Sequence, residues 1–194
     1  MNAIDNNPSK AELRRSHLIA RRLMAQAEWR LHSSRICSHL QTSPLFASAQ
    51  TILAYFSFRQ EPDLSGLFTD TSRRWGFSRC VGHSLCWHIW TPGSPLQTGA
   101  YGIVEPHADA PKIEPSEVDL ILVPAVACDA QGYRLGYGGG YYDRLLSSAQ
   151  WASKPTIGIV FEFAYLPQLP IDPWDTRLHG VCTQTSFKIF ERRK

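Results

Sequence analysis

No run of apolar residues approaches the roughly 20 that a membrane-spanning helix needs. The opening stretch, MNAIDNNPSK, also lacks the basic-then-apolar order of a secretory signal. The expectation is a cytoplasmic chain with no membrane partner. Cysteine is scarce and scattered: the five residues at 37, 80, 86, 128 and 182 form no CxxC pair, and no clustered histidines stand ready to complete a zinc site. An odd count reads as reduced thiols rather than a disulfide framework. Charge of one sign is lacking too. With 20 Lys plus Arg against 17 Asp plus Glu, the chain has no dense basic footprint and nucleic acid is not an expected partner. Repeats, low-complexity tracts and linkers are absent. What is there suffices for one domain with its own core, 194 residues of which 43% are hydrophobic. Residues 1–9 read as a flexible leader and 10–194 as a single domain, expected to be monomeric.

Ser9 and Glu12 have the spacing of a capping box, which predicts a helix from about Lys10. Leu13, Ala20, Leu23, Met24 and Ala27 recur at helical spacing, and Trp29, Ile36 and Leu40 continue the pattern until Ser43 and Pro44. Lys10, Arg14 and Arg21 share a stripe that a solvated basic face would also explain. Thr51–Phe58, TILAYFSF, reads as a buried strand, followed by a helical stretch around Leu64, Leu67 and Phe68. Ser78–Val81 and Leu85–Trp90 are weaker strand candidates. Asp119–Ala127, DLILVPAVA, is nearly all apolar, as in a parallel strand covered on both faces. A glycine-rich turn, the helix YYDRLLSSAQ and the apolar run PTIGIVF follow, which is a βαβ rhythm. PQLPIDPWDTRLHGV reads as an ordered loop before a last short strand near Val181.

The stretch from Asp129 to Leu146, DAQGYRLGYGGGYYDRLL, carries most of the chemistry. A parallel sheet delivers such a loop to its carboxyl edge, where ligands of α/β folds bind. Gly136, Gly138, Gly139 and Gly140 let backbone N–H groups approach a ligand closely, and with the following helix N-terminus and Arg134 they suit a phosphate. A flexible hairpin would also explain the glycines. Neither the Walker loop nor the dinucleotide fingerprint fits, because Tyr141 follows Gly140 where the first needs lysine and the second glycine. Asp143, in the first helical turn, either complements the helix dipole or offers a carboxylate to Mg2+ beside bound polyphosphate. Asp175, in PWD, is a second carboxylate or a turn residue. Glu61 is a strand-end candidate or a solvated loop carboxylate. Arg134, read as a loop residue, is expected to be replaceable without loss of the fold.

The run DLILVPAVACDAQGYRLGYGGGYYDRLL resembles the 5-formyltetrahydrofolate cyclo-ligase family in order and spacing. KAELR, YFSFRQEPD and LPIDPWD agree in order, so the likeness spans Lys10 to Val181. It implies an α/β fold of three layers around a mostly parallel sheet, similar to the sugar-phosphate isomerase and CoA-transferase group. It also implies ATP as co-substrate, Mg2+, and closure of 5-formyltetrahydrofolate to the 5,10-methenyl product with ADP and phosphate released. Lys10 and Arg14 would reach the nucleotide phosphates. Arg134, Leu135, Gly136, Tyr137, Gly138, Gly139, Gly140, Tyr141 and Tyr142 would form the ATP loop, of which Tyr137 to Tyr141 would also touch the folate. Arg134 and Asp143 would be catalytic, Asp143 and Asp175 would hold the metal, and Phe56, Glu61 and Tyr101 would contact the folate. The chain has Phe77 and Gly82 where the family usually has a basic residue and a proline. The alternatives are a phosphate-sugar isomerase of similar architecture and a non-catalytic member that binds folate or nucleotide.

Overall fold

Ser9 caps the first helix as its sequence requires: its hydroxyl accepts from the Glu12 N–H while the Glu12 carboxylate accepts from Ser9. The computed structural model describes residues 8–190, so the first seven residues of the expected leader and the last four of the chain lie outside the described part. In chain order the main elements are α1 (Lys10–Leu23), α2 (Gln26–Gln41), α3 (Pro44–Ser48), β1 (Thr51–Ala54), β2 (Arg74–Val81), β3 (Ser84–Ile89), β4 (Leu96–Thr98), β5 (Val104–Pro106), β6 (Leu120–Pro124), β7 (Ala127–Asp129), β8 (Arg134–Leu135), α4 (Tyr141–Ser147), β9 (Thr156–Ile159), β10 (Tyr165–Leu166), β11 (Gly180–Cys182) and β12 (Phe187–Ile189). The continuous helical pattern across residues 10–40 is broken at Met24 and Ala25, both in extended conformation, so α1 and α2 are separate.

A seven-stranded sheet of order β12-β11-β9-β6-β1-β2-β3 forms the middle layer. Its inner pairings, β11 with β9, β9 with β6, β6 with β1 and β1 with β2, are all parallel, and an antiparallel strand closes each edge. Alternate residues of one strand feed opposite cores. Ile121 and Val123 pack with Leu13, Leu145, Leu146 and Trp151 on the face covered by α1 and α4. Leu120 and Leu122 pack with Ile36, Leu40 and Phe46 on the face covered by α2 and α3. This is the expected three-layer α/β arrangement, and it explains why β6 reads as an unbroken apolar run.

Three expectations change. TILAYFSF is a strand only to Ala54, because Tyr55 onward turns out to build a loop. The helical stretch near Leu64 is a single 3-10 turn at Ser65–Leu67. The run from Asp119 to Ala127 is not one strand: β6 ends at Pro124, the Ala125 carbonyl is taken by Arg21, and Ala127 opens β7, which joins a small sheet with β8 and β10. Strand order rises on one side of β1 and reverses between β1 and β6, so the loops leaving these two strands part at a topological switch point. Such a point opens a crevice at the carboxyl edge.

Candidate active site

Every candidate residue named from the sequence lines one cavity of about 710 Å³, from Lys10 and Arg14 through Phe56, Glu61, Tyr101 and Arg134–Asp143 to Asp175. One wall is the glycine loop. The turn between β7 and β8 is pinned by buried Asp129, whose carboxylate accepts from the N–H groups of Gln131, Tyr133 and Leu169. That holds Arg134 in β8 at the loop's base. Gly138 and Gly140 have φ of +103° and +67°, values that favour glycine and let the chain double back before α4. The helix that follows has only seven residues and no side-chain cap. The anion-binding capacity of this wall therefore rests on loop amides and cations more than on a helix dipole.

The cations are held in place. Arg134 is buried, its Nη2 donates to Asp143 Oδ1 at 2.6 Å, and its Nε is buried without a partner among the described residues. Arg14 Nε donates to the Gly136 carbonyl at 2.8 Å. Lys10 Nζ lies 2.6 Å from Asp172 and is also paired with Asp175; burial alone would lower its pKa, but the two carboxylates outweigh burial and raise it. The stripe of α1 is thus no solvated face, since its cations turn toward the cavity or the core. As a buried strand residue with an ion-pair partner, Arg134 is also more deeply built in than a loop position would be.

The other wall follows β1. Phe56 stacks on Phe77, with ring centroids 4.1 Å apart and planes within 8°. Glu61 is 4% exposed and is no solvated loop carboxylate. Its Oε2 accepts from the Phe58 N–H at 3.1 Å, and Arg21 stands 3.9 Å away. Burial pushes the Glu61 carboxyl up to about 7, against the pull of Arg21, the Phe58 N–H and the Tyr137 hydroxyl. Arg21 is 1% exposed and joins the two walls, donating to the Tyr137 hydroxyl at 2.9 Å and to the Ala125 carbonyl at 2.7 Å. Burial, with the charge of Glu61 added, pushes the Tyr137 phenol up as well. At the rim, the Tyr101 hydroxyl lies 3.2 Å from that of Tyr141, which donates to the Gly82 carbonyl.

Comparison with known proteins decides what this arrangement belongs to. The family model described as the 5-formyltetrahydrofolate cyclo-ligase family matches residues 6–184. The chain belongs to the 5-formyltetrahydrofolate cyclo-ligase family. It is 32% identical over 186 residues to the cyclo-ligase of Mycolicibacterium smegmatis, covering 90% of this chain and 93% of that one. It is 31% identical over 143 residues to the one from Haemophilus influenzae, covering 69% and 75%. An NMR structure of the Aquifex aeolicus 5,10-methenyltetrahydrofolate synthetase superposes with a TM-score of 0.84 at 31% identity, over 95% of this chain and 94% of that one. A 5,10-methenyltetrahydrofolate synthetase from Mycoplasma pneumoniae, 21% identical, shares the fold with a TM-score of 0.73 over 91% and 99%.

Several residues of this candidate site in the cyclo-ligase chain were not singled out from the sequence. Arg21 lay on the basic stripe, and its burial was the missing information. Asp172 stands three residues before Asp175 in the same turn, whose Asp172 N–H donates to the Asp175 carboxylate at 2.7 Å. Tyr55, Phe58 and Trp174 line the cavity from within the YFSFRQEPD and LPIDPWD blocks without having been assigned to it, and Phe77 lines it with no motif around it.

Proposed function

We propose that this enzyme closes the ring of 5-formyltetrahydrofolate to 5,10-methenyltetrahydrofolate, with ATP converted to ADP and phosphate. One observation carries the reading: a cationic glycine-loop wall and an aromatic wall with a buried carboxylate share a single cavity, as joining a polyphosphate to a pterin requires. The formyl oxygen is a poor leaving group. Its attack on the γ-phosphorus forms an O–P bond and breaks the bond to ADP, giving a phosphorylated imidate. Attack by N10 on the imidate carbon, with the N10 proton lost to the departing phosphate or water, then closes the ring and expels phosphate. The loop amides, Arg14, Lys10 and Arg134 orient the phosphates and stabilise charge that spreads over them. Phe56, backed by Phe77, offers stacking surface, and Glu61 accepts from pterin N–H donors.

Mg2+ fits the donor set. Among the described residues no three His, Cys, Asp or Glu side chains gather into a protein-only cage, but Mg2+ takes one or two carboxylates together with phosphate oxygens and water. Asp143 and Asp175 would hold it, each through the oxygen not engaged by Arg134 or Lys10. The ion neutralises phosphate charge when bound. Purified protein given 5-formyltetrahydrofolate and MgATP should develop the absorbance of the conjugated methenyl product in step with ADP. Equal product without nucleotide, or no product at all, overturns the reading.

A further inference from the structure

The chain reverses direction at Phe58–Glu61 through a turn whose geometry and sequence disagree. The Glu61 N–H donates to the Phe58 carbonyl at 3.1 Å, and the two central residues, Arg59 and Gln60, both have positive φ, 49° and 57°. This is a type I′ turn, a form that calls for Asn-Gly or Asp-Gly because side chains beyond glycine, asparagine and aspartate are strained there. Gln60 adds to the cost, since its Oε1 is buried without a hydrogen-bond partner. Strain of this kind persists where the surroundings enforce it, and it concentrates at ligand clamps. The surroundings do enforce it here. Trp29 Nε1 and Ser57 Oγ both donate to the Glu61 carbonyl, at 2.9 and 2.8 Å.

None of those restraints uses the Arg59 side chain. It is exposed, lines the cavity, and lies with its guanidinium 4.8 Å from the centre of the Phe58 ring. Lys10, Arg134 and Arg14, the other cations lining the cavity, each spend donors on Asp172 and Asp175, on Asp143, or on the Gly136 carbonyl. Among the described residues Arg59 makes no hydrogen bond or ion pair of its own. The guanidinium rests over the Phe58 ring, which limits where it can reach, and the spacing of its donor fork matches a carboxylate.

We infer that Arg59 is a specificity-determining residue that grips the glutamyl carboxylate of the folate at the cavity mouth, presented by a strained turn and aligned by Phe58. This rests on the proposed folate substrate. A carboxylate is favoured over phosphate because Arg59 belongs to the wall of Phe56, Phe58 and Glu61 and not to the glycine loop. The glutamyl carboxylates are also the full negative charges that this substrate carries.

The test compares 5-formyltetrahydrofolate with the primary amide of 5-formyltetrahydropteroate, which lacks the glutamyl carboxylates and leaves no benzoate charge in their place, in the intact protein and in Arg59→Gln, Arg59→Gly and Arg59→Lys. Arg59→Gln keeps the backbone demand and removes the charge, whereas Arg59→Gly also relaxes the turn. The intact protein should prefer the glutamylated substrate in kcat/KM. In Arg59→Gln and Arg59→Gly that preference should fall about two- to fivefold, as expected for loss of a charge-assisted pair at a wet rim. The KM for ATP should stay unchanged, Arg59→Lys should restore part of the preference, and Arg59→Gly should melt no lower than the parent. A rise in the KM for ATP with the folate preference intact overturns the inference in favour of a phosphate contact. So does an equal loss on both folates, or no preference in the intact protein. If the intact protein turns over neither folate with ATP, the functional reading itself fails and takes this inference with it.

Discussion

Glu61 ties the chemistry of the site to pH. Its carboxyl has an ordinary value of 4.5 and is pushed up to about 7, chiefly by burial. Between those values the folded protein keeps a proton that the unfolded chain has released, so this group lowers stability as pH rises through that window. The full penalty, on the order of 3 kcal/mol, is present above about pH 7. Glu61→Gln removes it. The melting temperature of the variant should therefore rise relative to the parent between pH 5 and pH 8, while its folate KM rises most at pH 8, where the parent carboxylate is ionised and able to accept from the pterin. Melting curves and initial rates across this range check both halves; a variant whose folate KM matches the parent at pH 8 returns Glu61 to a structural role. Asp143 makes a different point. Its 2.6 Å pair with buried Arg134 means that Asp143→Asn costs about 1–3 kcal/mol whatever else the carboxylate does, because a buried cation loses its partner. A fall in melting temperature cannot separate the metal role from the structural one. A Mg2+ titration can: the metal role predicts a half-saturating Mg2+ concentration shifted upward about tenfold or more, and an unshifted titration leaves Asp143 as the ion-pair partner alone.

At the scale of elements, α1 matters most because its first residue reaches the far side of the cavity. Lys10 follows the Ser9 cap directly and is paired with Asp172 and Asp175, which lie more than 160 residues away in sequence. Fraying of the first turn would release that ammonium together with the loop it holds. Ser9→Ala should lower stability by about 1 kcal/mol and raise the KM for ATP, whereas Ser9→Asp should retain both. Matching ATP kinetics in a destabilised Ser9→Ala variant would detach Lys10 from the phosphates. The cap was legible in the sequence because it is written in local contacts. The break between α1 and α2 was not, since Met24 and Ala25 are sound helix formers and only packing turns the chain there. The end of β6 inside DLILVPAVA was hidden for a related reason: Ala125, Val126 and Ala127 continue its apolar run, and hydrophobicity does not say where a strand leaves its sheet.

For the whole molecule, the parallel heart of the sheet could be anticipated from β6 and β9, whose apolar runs reflect cover on both faces, while edge strand β12 is short and half exposed and carries no such mark. The candidate site was legible where a motif carried it, at the glycine loop and at PWD. It was not legible where burial alone creates the chemistry, as at Arg21. The architecture has a further consequence. The cavity is assembled from α1, the loop after β1, the hairpin of β4 and β5, the glycine loop and the turn at Asp172–Asp175, segments distant in sequence that meet around the space a ligand would fill. Lys10 to Asp172 and Asp175, Arg14 to Gly136 and Arg21 to Tyr137 tie α1 to the loops opposite it. A nucleotide bridging these walls stabilises the folded state by mass action, by about 2.7 kcal/mol at one hundred times its dissociation constant. For a domain of this size that is a rise in melting temperature of roughly 5 to 10 °C. MgATP should produce this shift in the intact protein, and Arg14→Ala should reduce it sharply while changing the melting temperature without ligand only slightly, because Arg14 is half-buried and spends one hydrogen bond on Gly136. Thermal scans with and without MgATP measure both quantities. An Arg14→Ala protein that keeps the full MgATP shift would place the polyphosphate elsewhere in the cavity.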